Sequence, residues 1–314
     1  MIRCPITYEP CLEGRFSLRG VKRFSRRLND IHDFPYSAKE QRVEAALRAD
    51  KISVQGVQPK LSVRVNVRDS VFELTDRGGR YLVKPQHEIF PELPENEDLC
   101  MHLAELVGIT VPLHALIYCK DGTLSYVIKR FDRVGRKDKL ALEDFAQLTG
   151  MDRETKYKLS MEKVIPVFDL CTFPLLEKSR FFRRCIFNYL IGNEDMHLKN
   201  FSLITGEGKT EMAPAYDFLS STIAYLALGK QLHQIEEIAL PLKGKKRNLT
   251  REIWIDYFAR ERLGLNPKVI SEELDRFSGS FDKWHELINI SFLSPSSRKL
   301  LKDLVNLRSG ILSI

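Results

Sequence analysis

The hydrophobic period of this 314-residue chain changes once, near Asp132, and that change limits the folds open to it. Before it, strand signals dominate. Leu61-Ser62-Val63-Arg64-Val65-Asn66-Val67-Arg68 alternates apolar and polar residues with period two, as a strand with one buried and one wet face does. Gly78-Gly79 reads as a turn, and Tyr81-Leu82-Val83-Lys84 as a second strand stopped by Pro85. Residues 96–107 read as a helix, with Asn96 as N-cap, Glu97 and Asp98 in the first turn and Gly108 as the stop. Two more strands are expected near 114–119 and 124–131, around the hairpin pair Asp121-Gly122. The first fifty residues are basic and weakly patterned, with a short helix over 40–50. Arg23, Arg26 and Arg27 suggest a solvated surface there, or a docking surface for another chain.

After Asp132 a charged stretch over 133–139 gives way to helical patterns. The strongest is Phe181 to Ile191, ended by Gly192; others lie near 250–263, 267–277 and 296–308. The expected class is α+β: a two-lobed, protein-kinase-like fold with a strand-rich N-lobe over 1–132 and a helical C-lobe over 133–314. Ligands favour the cleft between such lobes.

A formal net charge of +7 favours anionic partners without choosing among them, and no basic stripe marks a dedicated nucleic-acid binder. No apolar run approaches a membrane span, and the N-terminus has no apolar signal segment. Cys4, Cys11, Cys100, Cys119, Cys171 and Cys185 form no Cys-x-x-Cys pair. Cys4 and Cys11 could be half of a zinc site, but no second pair supports one. These features fit a reducing cytoplasm.

Phosphoryl transfer to a hydroxyl needs a cover over the phosphates, a lysine on them, a base near the acceptor, and oxygen ligands for Mg²⁺. Each has a candidate here, in the order protein kinases use. Asp195 and Asn200 have the Asp-x-x-x-x-Asn spacing of a catalytic loop: Asp195 would be the base and Asn200 a metal ligand. Asp217 follows a turn at Thr205-Gly206-Glu207-Gly208 and precedes Phe218, where a kinase places its second metal ligand; Leu219 stands in place of the glycine of Asp-Phe-Gly. Lys84 lies on a strand, between an apolar triplet and a proline, and would hold the α/β-phosphates, with Glu97 as its possible ion-pair partner. Upstream, residues 53–60 precede the alternating strand as a phosphate-covering loop should, and Lys60 could reach phosphate. Gly206-Glu207-Gly208-Lys209-Thr210 imitates the end of a Walker A loop, but Leu203 stands where the pattern needs glycine, so it reads as a β-turn.

Together, Ser53 through Ser62, Tyr81 through Pro85, Arg130 through Arg133, Glu143 through Leu148, Gly192 through Ser202 and Ala213 through Asp217 resemble, in order, the HipA family of bacterial serine/threonine protein kinases. The resemblance implies ATP and Mg²⁺ as cofactors. The family's Ser-x-x-Gly-x-Gln-x-Lys loop falls on Ser53, Gly56, Gln58 and Lys60, with Val54, Gln55 and Val57 between them on the nucleotide. Ser53 inherits an autophosphorylation site, and its phosphate would repel nucleotide from the loop. Lys84, Asp195, Asn200 and Asp217 inherit the phosphate, base and metal roles. Lys129 and Phe131 match the connector lining the adenine site; His197 and Lys199 match loop positions beside the nucleotide, with His197 holding the loop. Only about fifty residues precede the loop here, so the chain resembles the compact form, HipT. That form implies a HipS-like small protein and a HipB-like DNA-binding antitoxin as partners, with DNA reached only through the antitoxin. It also implies an aminoacyl-tRNA synthetase as substrate, the tryptophanyl enzyme for HipT, and hence a growth-arresting toxin. One serine stands where some HipT relatives have Ser-x-Ser, which puts any regulation needing two phosphosites in doubt. Other readings of the same residues are a small-molecule kinase of the aminoglycoside or lipid type, and an inactive scaffold binding a DNA-binding antitoxin. Retention of all four core residues speaks against the scaffold.

Overall fold

The computed structural model of the chain describes residues 2–48, 58–135 and 138–314. Ser53, Val54, Gln55, Gly56 and Val57 of the expected phosphate-covering loop lie outside the described residues. The chain divides into two compact units. Unit 1 comprises Met1–Leu99, Pro112–Asp138 and Ile290–Leu293; unit 2 comprises Cys100–Val111, Lys139–Asn289 and Ser294–Ile314. The division is therefore not a single cut in the sequence.

Unit 1 is built on an antiparallel five-stranded sheet, order β2-β1-β3-β5-β4, from β1 (Leu61–Asn66), β2 (Val71–Leu74), β3 (Tyr81–Lys84), β4 (His114–Tyr118) and β5 (Leu124–Lys129). The expected hairpin turns fall where Gly and Asp-Gly placed them, and Gly122 takes the left-handed conformation there. Period two sorts the two faces. Leu61, Val63, Tyr81, Val83, Ala115, Ile117 and Val127 point to one core. Leu82, Lys84, Tyr126 and Ile128 alternate with them along β3 and β5, which pair Lys84 with Tyr126.

The first core holds a correction. Residues 1–50 read as basic and weakly patterned, with a solvated or docking surface at Arg23, Arg26 and Arg27, yet Cys4, Ile6, Val21, Leu28, Ile31 and Phe34 of this segment are buried against that face of the sheet. The chain is pinned there by the Leu116 N–H donating to the Pro5 carbonyl at 3.0 Å and the Phe34 N–H to the Tyr118 carbonyl at 2.8 Å. Each such side chain stabilises by roughly 1.5–3 kcal/mol on burial. Arg23, Arg26 and Arg27 do stay exposed. Two helices lie in this segment, α1 (Leu18–Phe24) and α2 (Ala38–Leu47), the second begun by a capping box between Ser37 and Glu40. Cys4 and Cys11 are both buried and sit in this core as small hydrophobes.

Helix α3 (Leu93–Leu106) begins three residues before Asn96, which lies inside the helix and not at its cap. Pro94 in the first turn suits this start, because its missing N–H has no partner to lose there. A two-stranded pair, β6 (Arg133–Val134) and β7 (Asp138–Lys139), follows the sheet.

Unit 2 centres on α5 (Pro174–Ile191), which starts two turns earlier than its apolar run suggested because Pro174 opens it. Phe145, Phe168, Phe181, Phe201 and Phe258 form an aromatic cluster around its first half, with ring centroids 5.0–6.2 Å apart. Phe187 on its second half touches Phe218 at 4.9 Å and Trp284 at 5.6 Å. The three-stranded sheet β10-β9-β8 uses β8 (Ala141–Asp144), β9 (Ser202–Gly206) and β10 (Lys209–Met212); the Walker-like stretch is its hairpin turn. The short α4 (Phe145–Leu148) continues β8 through a capping box at Asp144 and Gln147. Two helices, α6 (Ser221–Ala227) and α8 (Phe281–Ile290), were not anticipated, nor was the 3₁₀ segment Met161–Leu170. The expected helices at the end are a π-type stretch over Ile253–Arg262, α7 (Pro267–Ser278) and α9 (Pro295–Leu312). Among the described residues no helix is long and apolar enough to cross a membrane.

Candidate active site

The loop after α5 is set by one glycine. Gly192 has φ 78°, and a Cβ built there would lie 2.5 Å from Leu304 Cδ2 and 2.8 Å from Thr222 Cβ. Only glycine meets both conditions. Its neighbour Asn193, 2 % exposed, ties two segments together: its side-chain amide donates to Asn188 Oδ1 at 2.9 Å and to the Asp217 carbonyl at 3.1 Å. Asp217 has φ +56°, a left-handed conformation that Asp tolerates better than most residues. Phe218, fully buried on Phe187, fixes the other side of that residue.

Asp195 is exposed at the head of the loop. Its carbonyl accepts from the His197 N–H at 2.8 Å and from the Asn200 side-chain amide at 3.2 Å. The amide nitrogen of buried Asn200 is thus used within the loop. Unit 2 in this way gathers Asp195, His197, Asn200 and Asp217 on one frame. Lys199 is held by Asp144 at 2.7 Å, and its carbonyl accepts from the Tyr216 hydroxyl at 3.0 Å.

Two residues that the sequence did not single out complete the loop. The hydroxyl of Tyr157 donates to Asp195 Oδ1, and its ring packs edge-on to His197 at 5.1 Å. Burial and the Asp195 carboxylate together push the Tyr157 phenol well above its ordinary range, so it remains protonated. Lys156 Nζ lies 2.7 Å from His197 Nε2 and 4.9 Å from the Tyr157 ring centroid. Burial lowers the pKa of His197, and Lys156 lowers it further, although Asp195 and Asp217 pull the other way. The lowered pKa favours the neutral imidazole, and its contact with Lys156 and Tyr157 fits a structural role. No spacing in a single chain links Lys156-Tyr157, inside a charged loop, to Asp195. Glu194, by contrast, is pushed up to about 6, chiefly by burial and then by the adjacent Asp195 charge.

Unit 1 places Lys84 at the end of β3, 4 % exposed. Its Nζ donates to Glu97 Oε1 at 2.7 Å and lies 5.6 Å from the Tyr126 ring centroid. Asp98 and His114 make a second buried contact at 2.7 Å between α3 and β4. Lys60 and Gln58 are half-buried just before β1. Lys129 is exposed at the end of β5, its N–H donating to the Leu113 carbonyl at 2.8 Å, and Phe131 is half-buried two residues on. Beside them Arg130 and Asp132 form a buried pair joined at 3.0 and 2.7 Å.

Taken unit by unit, the donors are of the kinds that suit a divalent cation in unit 2 and a phosphate in unit 1. An amide oxygen at Asn200 and a carboxylate at Asp217 are the oxygen ligands Mg²⁺ takes, and a buried lysine suits phosphate.

An antiparallel five-stranded sheet carrying a buried Lys–Glu pair, with a helical unit carrying an Asp-x-x-x-x-Asn loop, defines a kinase-like fold. The structure of the Helicobacter pylori proinflammatory kinase CtkA shares it, with TM-score 0.57 and 19 % identity over 83 % of this chain and 91 % of that one. So does HipA of Shewanella oneidensis, solved with HipB and operator DNA, with TM-score 0.67 and 20 % identity over 91 % of this chain and 74 % of that one. The chain belongs to the family described as the HipA-like C-terminal domain, which matches residues 52–284. In sequence it is 29 % identical to a Haemophilus influenzae protein named "Putative kinase", over 86 % of this chain and 84 % of that protein. It is 34 % identical to "Putative kinase Y4dM" of Sinorhizobium fredii, over 62 % of this chain and 51 % of that protein, and so spans about half of that relative's length. It is 26 % identical to the serine/threonine-protein kinase toxin HipA of Shewanella oneidensis, over 54 % of this chain and 43 % of that protein.

Proposed function

We propose that this HipA-family chain is an ATP- and Mg²⁺-dependent serine/threonine protein kinase. One observation supports the proposal most: the Asn193 side-chain amide donates to the Asp217 carbonyl and the Asn200 side-chain amide to the Asp195 carbonyl, so the two residues proposed as metal ligand and base are each held by an asparagine of the same loop. When bound, Mg²⁺ would neutralise charge on the phosphates. Asn200 and Asp217 would hold it. Lys84, oriented by Glu97, would hold the α/β-phosphates. Asp195, exposed and acceptor-rich, would take the proton of the attacking hydroxyl. His197 and Lys199 would keep the loop in shape, and Lys129 and Phe131 would border the adenine. Ser53 would be the autophosphorylation site within a cover formed by Ser53 through Lys60.

The biological role follows the family. We infer a toxin of a toxin–antitoxin system, of the compact HipT type, neutralised by a HipB-like DNA-binding partner and a HipS-like small protein. The solved complex of the Shewanella HipA with HipB and operator DNA supports the first partner. The substrate is expected to be an aminoacyl-tRNA synthetase, the tryptophanyl enzyme by likeness to HipT. Incubating the protein with γ-labelled ATP and Mg²⁺ in a bacterial lysate, then identifying the labelled band, tests this. A labelled synthetase supports the proposal. Label confined to small molecules would replace it with a small-molecule kinase. Intact mass should also rise by one phosphate, and Ser53→Ala should abolish that rise.

A further inference from the structure

Asp195 already holds a hydroxyl. The Tyr157 O–H donates to its Oδ1, which is the contact an acceptor serine or threonine must make to surrender its proton. Tyr157 is not part of the packed core: its residue is 38 % exposed, so the phenol can leave without opening a cavity. It is nevertheless well aimed. The ring sits edge-on to His197, and Lys156 Nζ lies over the ring while reaching His197 Nε2. The loop that carries it is closed by Asp152, which accepts from the Thr155 N–H and hydroxyl, both at 2.8 Å.

We propose that Tyr157 is a placeholder for the acceptor hydroxyl: it occupies Asp195 until a protein substrate displaces it, and so suppresses transfer to water. The inference rests on Asp195 being the base. In productive transfer the acceptor oxygen forms a bond to the γ-phosphorus, the bond from that phosphorus to the β-bridging oxygen breaks with its electron pair going to ADP, and the acceptor proton passes to Asp195. With water in the acceptor's place the same bonds change and inorganic phosphate results. Water brings only its own hydrogen bonds to the contest with Tyr157. A protein substrate brings binding energy from contacts elsewhere, and can use it to expel the phenol. Tyr157 would therefore set selectivity between a protein hydroxyl and water without touching phosphate.

Two measurements on the full chain test this. The first needs no nucleotide: nitration of Tyr157 by tetranitromethane, which attacks the ionised phenol, mapped by peptide mass spectrometry. Nitration is expected to be slow in the parent protein and several-fold faster in Asp195→Ala. An unchanged rate would mean that the contact is absent, and would overturn the inference while leaving the base assignment standing. The second compares hydrolysis with transfer in Tyr157→Phe. Acceptor-free ATP hydrolysis should rise about fivefold, the effect of one lost hydrogen bond, with transfer to the lysate acceptor kept within about twofold. If both fall together, Tyr157 merely positions Asp195, and the inference fails. Phosphate found on Tyr157 itself would also overturn it, since the residue would then be an acceptor. Full transfer by Asp195→Gln would instead remove the base assignment on which the inference stands.

Discussion

Removing one partner of the Lys84–Glu97 pair should cost far more stability than replacing both. The side chains are 5 % and 1 % exposed, and they meet at 2.7 Å. Each single change breaks a buried ion pair by removing one partner, which costs about 3–5 kcal/mol. That is a large share of the roughly 5–15 kcal/mol that holds a typical domain folded. Lys84→Met keeps the unbranched stem and can still contact the Tyr126 ring through its sulfur, so the loss isolates the charge. The double replacement Lys84→Met with Glu97→Leu removes both charges from a buried site. It should return stability to within about 1 kcal/mol of the parent, because a well-packed apolar pair can match a buried ion pair. Urea denaturation followed by far-ultraviolet circular dichroism gives the four values of the cycle. Transfer from ATP, measured on the same proteins, should be lost in all three variants. Stability and activity then part company in the double variant, which folds and does not transfer. A double variant as unstable as the sum of the singles would refute the argument, because the two side chains would then not be paired in solution. A Lys84→Met protein with full activity would refute the phosphate-holding role.

Two further outcomes follow from single residues. Gly192→Ala should destabilise by about 2–4 kcal/mol, combining the left-handed conformation with overpacking against Thr222 and Leu304; a melting temperature unchanged from the parent would contradict this. Glu95 is held by the Gln86 side-chain amide at 2.8 Å, and burial raises its carboxyl from an ordinary 4.5 to about 7. The folded state therefore binds more protons than the unfolded one between those values, so this group's contribution falls as pH rises through that window. The fall is at most about 3 kcal/mol. Glu95→Gln should flatten it and be the more stable protein at pH 8 but not at pH 4, as thermal melts at both values will show.

What could be read in the sequence was whatever depends on spacing along the chain. Period two located β1, the apolar run before Pro85 located β3, and the Asp121-Gly122 turn located β4 and β5; Asp195 and Asn200 stand out by their interval, with Lys84 and Asp217 on either side in the order kinases use. What could not be read depends on partners distant in sequence. Cys4, Ile6, Val21 and Phe34 follow no helical or strand period, and their burial is decided by a sheet that begins some forty residues on from Val21. Asn96 has a good cap residue's chemistry, yet Pro94 starts the helix before it. Tyr157 meets Asp195 from a separation of 38 residues, out of a loop whose composition is that of any solvated turn. Residues 100–111 and 290–293 exchange units for the same reason: contacts, not order, assign them.

The central claim is that Asp195 takes the acceptor proton while other residues hold the nucleotide. Binding and transfer should therefore separate in one variant. Asp195→Gln, compared with the parent protein for Mg·ATP affinity by calorimetry and for the rate of phosphate transfer, is expected to bind within about threefold of the parent and to transfer at least about a hundredfold more slowly. Transfer at the parent rate, or loss of nucleotide binding with loss of transfer, would contradict it.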